Sequence, residues 1–375
     1  ELILLCSKNQ MNCSSIFWRQ GKSLRILVTN SFLTLVTSIF CFATAAQAGE
    51  LNLLTWVSYA DESWTTDWQA KSGCKLNPTL VGSNDEIISK IAAGDATYDL
   101  VSPSVDTTTI LWKIGKIQPL DKSKLEYWND LYSGLRTNPG IVLSDGTIIA
   151  QPNAWGSIPM MYRTDKVKET LDSIAVIFDE KYKGKISLWD DKSNIYPVAR
   201  YLFGTDINVF DLNDDQLAQV RDKLIEQKKN IRSYWTQAGD HINLMASGEA
   251  WISNTWGGYQ VAELQAKNIP MVEYLPKEKA DGWADGWQLT TDARDLDCAY
   301  KWINYVASPE GQCAMSLFSG FSAASEQVKT CMTEEEFKGR HQHNPDYINS
   351  LVLWREPARP AAYICLLYTS DAADE

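Results

Sequence analysis

Histidine is nearly absent from this chain: three residues in 375, two of them in the run His341-Gln342-His343. No wider cluster of ligating side chains surrounds that pair at metal-binding spacing, so it reads as a solvated loop and no metal is expected. No cysteine stands in a Cys-x-x-Cys arrangement, which argues against redox and zinc chemistry. The nucleophile elbow, the P-loop, the His-Glu-x-x-His helix and the dinucleotide fingerprint are also missing. With them go the common hydrolase, nucleotide-binding, metalloprotease and dehydrogenase readings, and no cofactor is expected. Positive charge is short as well: 35 Lys and Arg face 47 Asp and Glu, a net charge of −12. Such a body is a poor partner for nucleic acid or anionic membrane and a good one for small cations. The longest apolar stretch, residues 26–42, is broken by Thr29, Asn30 and Ser31, which leaves it too short for a lasting membrane span.

That stretch fits an export signal instead. Met11 is followed by Arg19, Lys22 and Arg25, then the apolar segment, then Ala46-Gln47-Ala48 with small residues at the cleavage positions. Residues 11–48 are therefore expected to be a signal peptide, cleaved after about Ala48. Ile39-Phe40 precede Cys41, which does not suit lipid attachment, so export as a soluble protein is expected. Residues 364–375 have no pattern continuous with what precedes them and read as a non-native tail, with the true C-terminus missing. The flanking segments carry +3 and −3, so the body keeps the net −12. Four cysteines fall within it: Cys74, Cys298, Cys313 and Cys331. In an oxidising compartment they could pair in three ways, and nothing in the sequence chooses among them.

Strand-like and helix-like runs alternate from the start of the body. Leu51–Val57, Lys75–Val81 and Tyr98–Ser102 read as strands; Asp61–Ser72, Glu86–Ala93 and Ser104–Ile114 read as helices closed by Gly73, Gly94 and Gly115. Ser83 with Glu86 forms a capping-box pattern. The order implies a mainly parallel sheet. After Asn138-Pro139-Gly140 the texture changes. Strands at Thr147–Ala150 and Pro159–Tyr162 carry the chain into a second lobe, which includes Lys185–Trp189 and helices at Tyr196–Phe203, Asp214–Asn230 and Gly258–Lys267. A second break falls near Gly282. The expected division is 49–150 as the first part of lobe 1, 151–284 as lobe 2, 285–330 as the return to lobe 1, and 331–363 as a C-terminal part of lobe 2.

At that second break stands Gly282-Trp283-Ala284-Asp285-Gly286-Trp287. A carboxylate between aromatic faces suits an organic ammonium, since the carboxylate supplies charge and the rings supply quadrupole attraction. The other reading is a tryptophan-rich turn packing two lobes together.

Several further segments resemble, in order, the bacterial periplasmic spermidine/putrescine-binding proteins, the substrate-binding subunits of polyamine ABC transporters. They are Thr55-Trp56-Val57-Ser58-Tyr59, Tyr98-Asp99-Leu100-Val101-Ser102-Pro103-Ser104, Ile117-Gln118-Pro119-Leu120-Asp121, Tyr182-Lys183-Gly184-Lys185, and Tyr300-Lys301-Trp302-Ile303-Asn304-Tyr305 with Ser308-Pro309-Glu310. The resemblance implies an α/β fold of two hinge-connected lobes (periplasmic-binding-protein type II) closing on a ligand in a central cleft. It implies a periplasmic monomer that captures putrescine or spermidine and passes it to an inner-membrane ABC permease, with binding and no catalysis. By motif, Trp56, Tyr59, Ser104, Asp191, Trp256, Trp283 and Asp285 match ligand contacts, Asp106 stands where many relatives have an aromatic residue, and Phe321 replaces a tyrosine. Asp106 also reads as a helix N-terminal acid, and Asp191 as a turn residue. Trp287 is expected to pack behind the site, and Trp64, Trp68 and Trp302 inside helices. Asn194 falls where spermidine binders carry a glutamate, and Arg355 near a ligand-facing glutamine, which leaves the choice of amine open. The same fold could take an amino acid or a quaternary amine. It could also serve a secreted enzyme with Cys74 or Cys298 as nucleophile, but neither is flanked by an evident base.

Overall fold

β1 (Gly49–Thr55) places Leu51, Leu53 and Leu54 in the core, and it runs parallel to both β2 (Cys74–Leu80) and β3 (Leu100–Val101). Helix α1 (Glu62–Ser72) makes the first crossover. The Asp61 carboxylate accepts the Ser63 N–H at its start, and Gly73 ends it with φ +71°, a left-handed conformation that costs glycine little. Helix α2 (Asn84–Ala93) makes the second, with the Ser83 hydroxyl accepting from Glu86 N–H. The reciprocal half of the expected capping box is diverted: the Glu86 carboxylate accepts from Gly82 N–H, one residue upstream. Helix α3 (Val105–Lys113) follows β3 directly, with Ser104 at its start. This alternation matches the sequence expectation closely.

The computed structural model describes residues 49–94, 97–341, 344–363 and Leu366, all within one unit of the chain, Ala46–Glu375. The expected signal peptide lies outside the described residues, as does the expected tail apart from Leu366.

The remaining strands are β4 (Ile117–Gln118), β5 (Gln151–Ile158), β6 (Met160–Arg163), β7 (Ile186–Trp189), β8 (Ile231–Trp235), β9 (Ile252–Asn254), β10 (Met271–Tyr274), β11 (Ala280–Thr290), β12 (Ser322–Ala323) and β13 (Leu351–Leu353). They form two sheets. One has the order β12-β5-β11-β3-β1-β2, with β4 and β13 also on β11; the other has the order β10-β6-β9-β7-β8. The sheets are the cores of two lobes, each covered by helices.

The sheets are mixed rather than mainly parallel, because β11 runs antiparallel to β3, β4 and β5, and β6 runs antiparallel to β9 and β10. Two stretches differ from expectation as well. The strand expected at 147–150 lies at 151–158, and the break expected near Gly282 is β11, eleven residues long and buried throughout. A central strand covered on both faces shows no alternation of apolar and polar residues, so its sequence has no period to read. Its glycines serve close packing. Gly286 follows a bulge after Asp285, and a Cβ at Gly156 of β5 would come within 2.5 Å of the Trp283 ring. By sheet membership the chain leaves the first lobe at Pro159 and returns between Tyr274 and Ala280. The expected limit at 150/151 falls at the start of β5, and that at 284/285 falls inside β11. After β13 joins the first sheet, the chain reaches the second lobe, where the Tyr363 hydroxyl donates to the Val209 carbonyl and accepts from Leu212 N–H.

Two disulfides, Cys74–Cys298 and Cys313–Cys331, settle the pairing left open above. The first closes a separation of 224 residues, and cross-links of this kind typically contribute about 2–4 kcal/mol. Trp287 is fully buried, edge-on to Trp302 at 5.6 Å, and Trp302 stacks with Trp64 at 5.8 Å. These rings pack, as expected. Among the described residues no helix is long and apolar enough to cross a membrane.

Candidate ligand-binding cleft

Three of the cleft's residues come from the carboxyl ends of parallel strands, where clefts form in open α/β sheets. Trp56 and Tyr59 follow β1, and Ser104 follows β3. Asp285 meets Ser104 in a backbone bridge that brings the middle of β11 beside the start of α3. The Tyr59 hydroxyl donates to Asp285 Oδ2 at 2.7 Å, and the Ser104 hydroxyl donates to Oδ1 at 2.7 Å. Burial pushes the Asp285 carboxyl up to about 7; the bonds from Ser104 and Tyr59 pull it down, and the nearby Asp106 pushes it further up. Burial, reinforced by the Asp285 charge, holds the Tyr59 phenol well above its ordinary range, so it stays a donor.

Aromatic rings wall this carboxylate. Trp56 lies edge-on to Trp256 at 5.6 Å and to Trp189 at 6.3 Å, and Trp189 lies edge-on to Trp256 at 5.3 Å. Phe321 meets Trp283 at 5.0 Å and Tyr59 at 6.2 Å. The Trp56 indole donates to the Ser102 carbonyl at 2.8 Å, which fixes the ring. The Trp189 indole donates across the lobes to the Gly82 carbonyl at 2.8 Å, and a Cβ at Gly82 would overlap the Thr236 carbonyl. The lobes therefore meet closely around the cleft. The space left between its walls is narrow, about 30 Å³.

Seven of the nine residues singled out from the sequence line this space: Trp56, Tyr59, Ser104, Trp256, Trp283, Asp285 and Phe321. Asp106 and Asp191 do not. Asp106 is in the first turn of α3, 3.2 Å from the Lys192 ammonium. Asp191 accepts from Ser193 N–H at 2.8 Å, capping a short turn. Burial pushes its carboxyl up to about 7, against the pull of Lys192. The helix-terminus and turn readings thus describe where these two sit. Asn194 and Arg355 are also outside the cleft lining. Asn194 donates to the Trp189 carbonyl, and the Arg355 guanidinium donates to Asn208 Oδ1 at 2.8 Å. His341 stacks on Tyr347, and His343 lies outside the described residues.

Val57, Ile158, Trp189 and Trp354 also line the cleft and were missed in the sequence. Trp189 ends the parallel strand β7, much as Trp56 follows β1. Trp354 depends on the pairing of β13 with β11, which no local pattern announces. Cys74 and Cys298 are joined to each other, so neither offers a thiol to the cleft.

A family model described as bacterial extracellular solute-binding protein matches residues 65–343. The putrescine-binding periplasmic protein PotF of Escherichia coli is 29% identical over 282 residues, covering 71% of this chain and 75% of that one. Two solved structures share the fold. The spermidine/putrescine ABC transporter substrate-binding protein PotD of Streptococcus pneumoniae superposes with a TM-score of 0.69 at 20% identity, covering 87% of this chain and 100% of that one. MotA of Agrobacterium tumefaciens, in complex with glucopine, gives a TM-score of 0.71 at 17% identity, covering 85% and 99%. With the model spanning most of the chain and both lobes found in the solved relatives, the chain belongs to the bacterial extracellular solute-binding protein family.

Proposed function

We propose that this protein captures a small organic ammonium in the aromatic cleft, with putrescine and spermidine the first candidates, and delivers it to an ABC permease as a monomeric exported protein. The observation that carries the reading is Asp285, a buried carboxylate whose partners are two neutral hydroxyls and which opens onto walls of tryptophan. Neutral donors orient a carboxylate without cancelling its charge, so an incoming cation is the missing counterpart. A charge-assisted bond to it contributes about 1.5–3 kcal/mol, and each desolvated cation–π contact about 2 kcal/mol. Anions gain neither, and neutral sugars gain no cation–π contact. Trp56 and Tyr59 come from one lobe and Trp189 and Trp256 from the other, so a ligand touching all four favours the closed arrangement. The names of the relatives support the polyamine class, the periplasmic setting and the transporter partner. They also support binding over catalysis.

Calorimetry of the purified protein against putrescine, spermidine, a quaternary amine, an amino acid and a dicarboxylate tests this. Heat is expected from the amines. Heat from the dicarboxylate and none from any amine would overturn the reading.

A further inference from the structure

Behind Ser104 and Asp285 the two lobes meet in a second group of charges. Lys192 comes from the turn that follows β7 in the second lobe. Its ammonium reaches Asp106 of α3 at 3.2 Å and Asp85 of α2 at 3.8 Å, both in the first lobe. The Lys192 and Asp106 side chains are 3% and 2% exposed. Asp191, next in sequence, adds a third carboxylate whose charge acts on the same ammonium. Burial alone would neutralise Lys192; Asp106, Asp191 and Asp85 outweigh it and hold the ammonium protonated. The group borders the cleft. Asp106 acts on Asp285 electrostatically, and the Asn84 carboxamide oxygen, one residue from Asp85, accepts the Ser104 N–H at 3.0 Å.

A lysine side chain is a primary ammonium on a four-carbon stem, which is chemically one end of an alkyl diamine. Here that end lies between carboxylates of both lobes, beside a cleft whose own carboxylate faces an open space. We propose that Lys192 is a built-in occupant of the position a second ligand ammonium would otherwise take: it engages Asp106 and Asp85 directly and Asp191 through its charge, so the cleft grips one ammonium, at Asp285, and does not count the others. A diamine is then held by one end, and a monoamine of the same length binds nearly as well. The inference rests on the amine-binding reading of the cleft and narrows it.

The test is a matched pair of ligands, butylamine and putrescine, titrated by calorimetry into wild-type protein and Lys192→Met. In wild type the putrescine-to-butylamine affinity ratio is expected to stay within about tenfold, the size of one ordinary contact, since every 1.4 kcal/mol is tenfold. In Lys192→Met the freed carboxylates accept the second ammonium, and the ratio rises by at least about tenfold, as expected for a charge-assisted bond. A wild-type ratio well above tenfold overturns the proposal whether or not the variant folds, and so does an unchanged ratio in a folded variant. Either result leaves amine binding at Asp285 standing. Failure of wild type to bind either amine overturns the cleft reading and the role of Lys192 with it.

Discussion

Asp285 and Asp106 are both buried aspartates, close enough to feel each other's charge, and they lie on either side of the start of α3. They differ in their partners. Asp106 faces a cation that the protein supplies, Lys192 at 3.2 Å. Asp285 faces two hydroxyls and an opening lined with rings. Burial alone therefore does not mark a ligand carboxylate. What marks it is a charge that the fold desolvates but does not balance, at a place a ligand can reach. The unbalanced group costs stability, and that cost is recovered when the cation binds.

The largest expected effect is on the balanced side. Lys192→Met leaves Asp106, Asp191 and Asp85 without their cation, and removing one partner of a buried pair costs about 3–5 kcal/mol. Denaturant unfolding of the ligand-free protein should show that loss; a cost under about 1 kcal/mol would place Lys192 among surface ion pairs and erase the distinction between the two sites.

On the unbalanced side stability and binding should move in opposite directions. Asp285→Asn removes the charge-assisted contact and should weaken putrescine binding by roughly ten- to a hundredfold, or about 1.5–3 kcal/mol. Its effect on the ligand-free protein has the other sign. A carboxyl whose folded pKa is about 7 holds its proton in the native state after the unfolded chain has released it. Wild type therefore loses stability as pH rises from the ordinary carboxylate range to about 7, and the asparagine variant loses less, keeping only the share of Asp191 and Glu273, which burial also pushes up to about 7. At pH 8 the variant should unfold later than wild type. Ammonium affinity should follow ionisation of the same group, rising between pH 6 and 8 in wild type and staying flat in Asp285→Asn. Asp191 also titrates near 7. A slope that persists in the variant would therefore assign the pH dependence to Asp191 or Glu273 instead.

How much of this was readable beforehand follows from the range of the forces involved. Trp56, Tyr59 and Ser104 were legible through the resemblance, which places all three just after parallel strands, where local order sets their position. Trp189 obeys the same rule and was overlooked in favour of the carboxylate two residues on. Whether Asp106 and Asp191 face a ligand depends on Lys192 meeting α2 and α3 from the other lobe, a tertiary fact with no sequence period. β11 was hidden for a related reason: a strand buried on both faces loses its alternation, and Gly282 and Gly286, which suggest a turn, allow close neighbours in a sheet. Against Gly282 lie Leu351 and Leu353; against Gly286 lie Ile141 and Ala150.

The smallest expected effect concerns Arg355. Its neighbour Trp354 lines the cleft, and proximity in sequence suggests a shared role. Successive residues of an extended chain point to opposite faces, however. The Trp354 N–H donates to the Gly282 carbonyl at 2.8 Å, continuing the path of β13 beside β11, while the Arg355 guanidinium turns the other way, lying 5.2 Å from the Phe210 ring centre and donating to Asn208. An exposed cation–π contact contributes about 0.5–1 kcal/mol, and it contributes to the fold rather than to the ligand. Arg355→Ala should therefore lower unfolding stability slightly and leave putrescine affinity within about twofold, well below the effect of one charge-assisted bond. A tenfold change in affinity would bring Arg355 to the ligand and extend the cleft beyond its present wall.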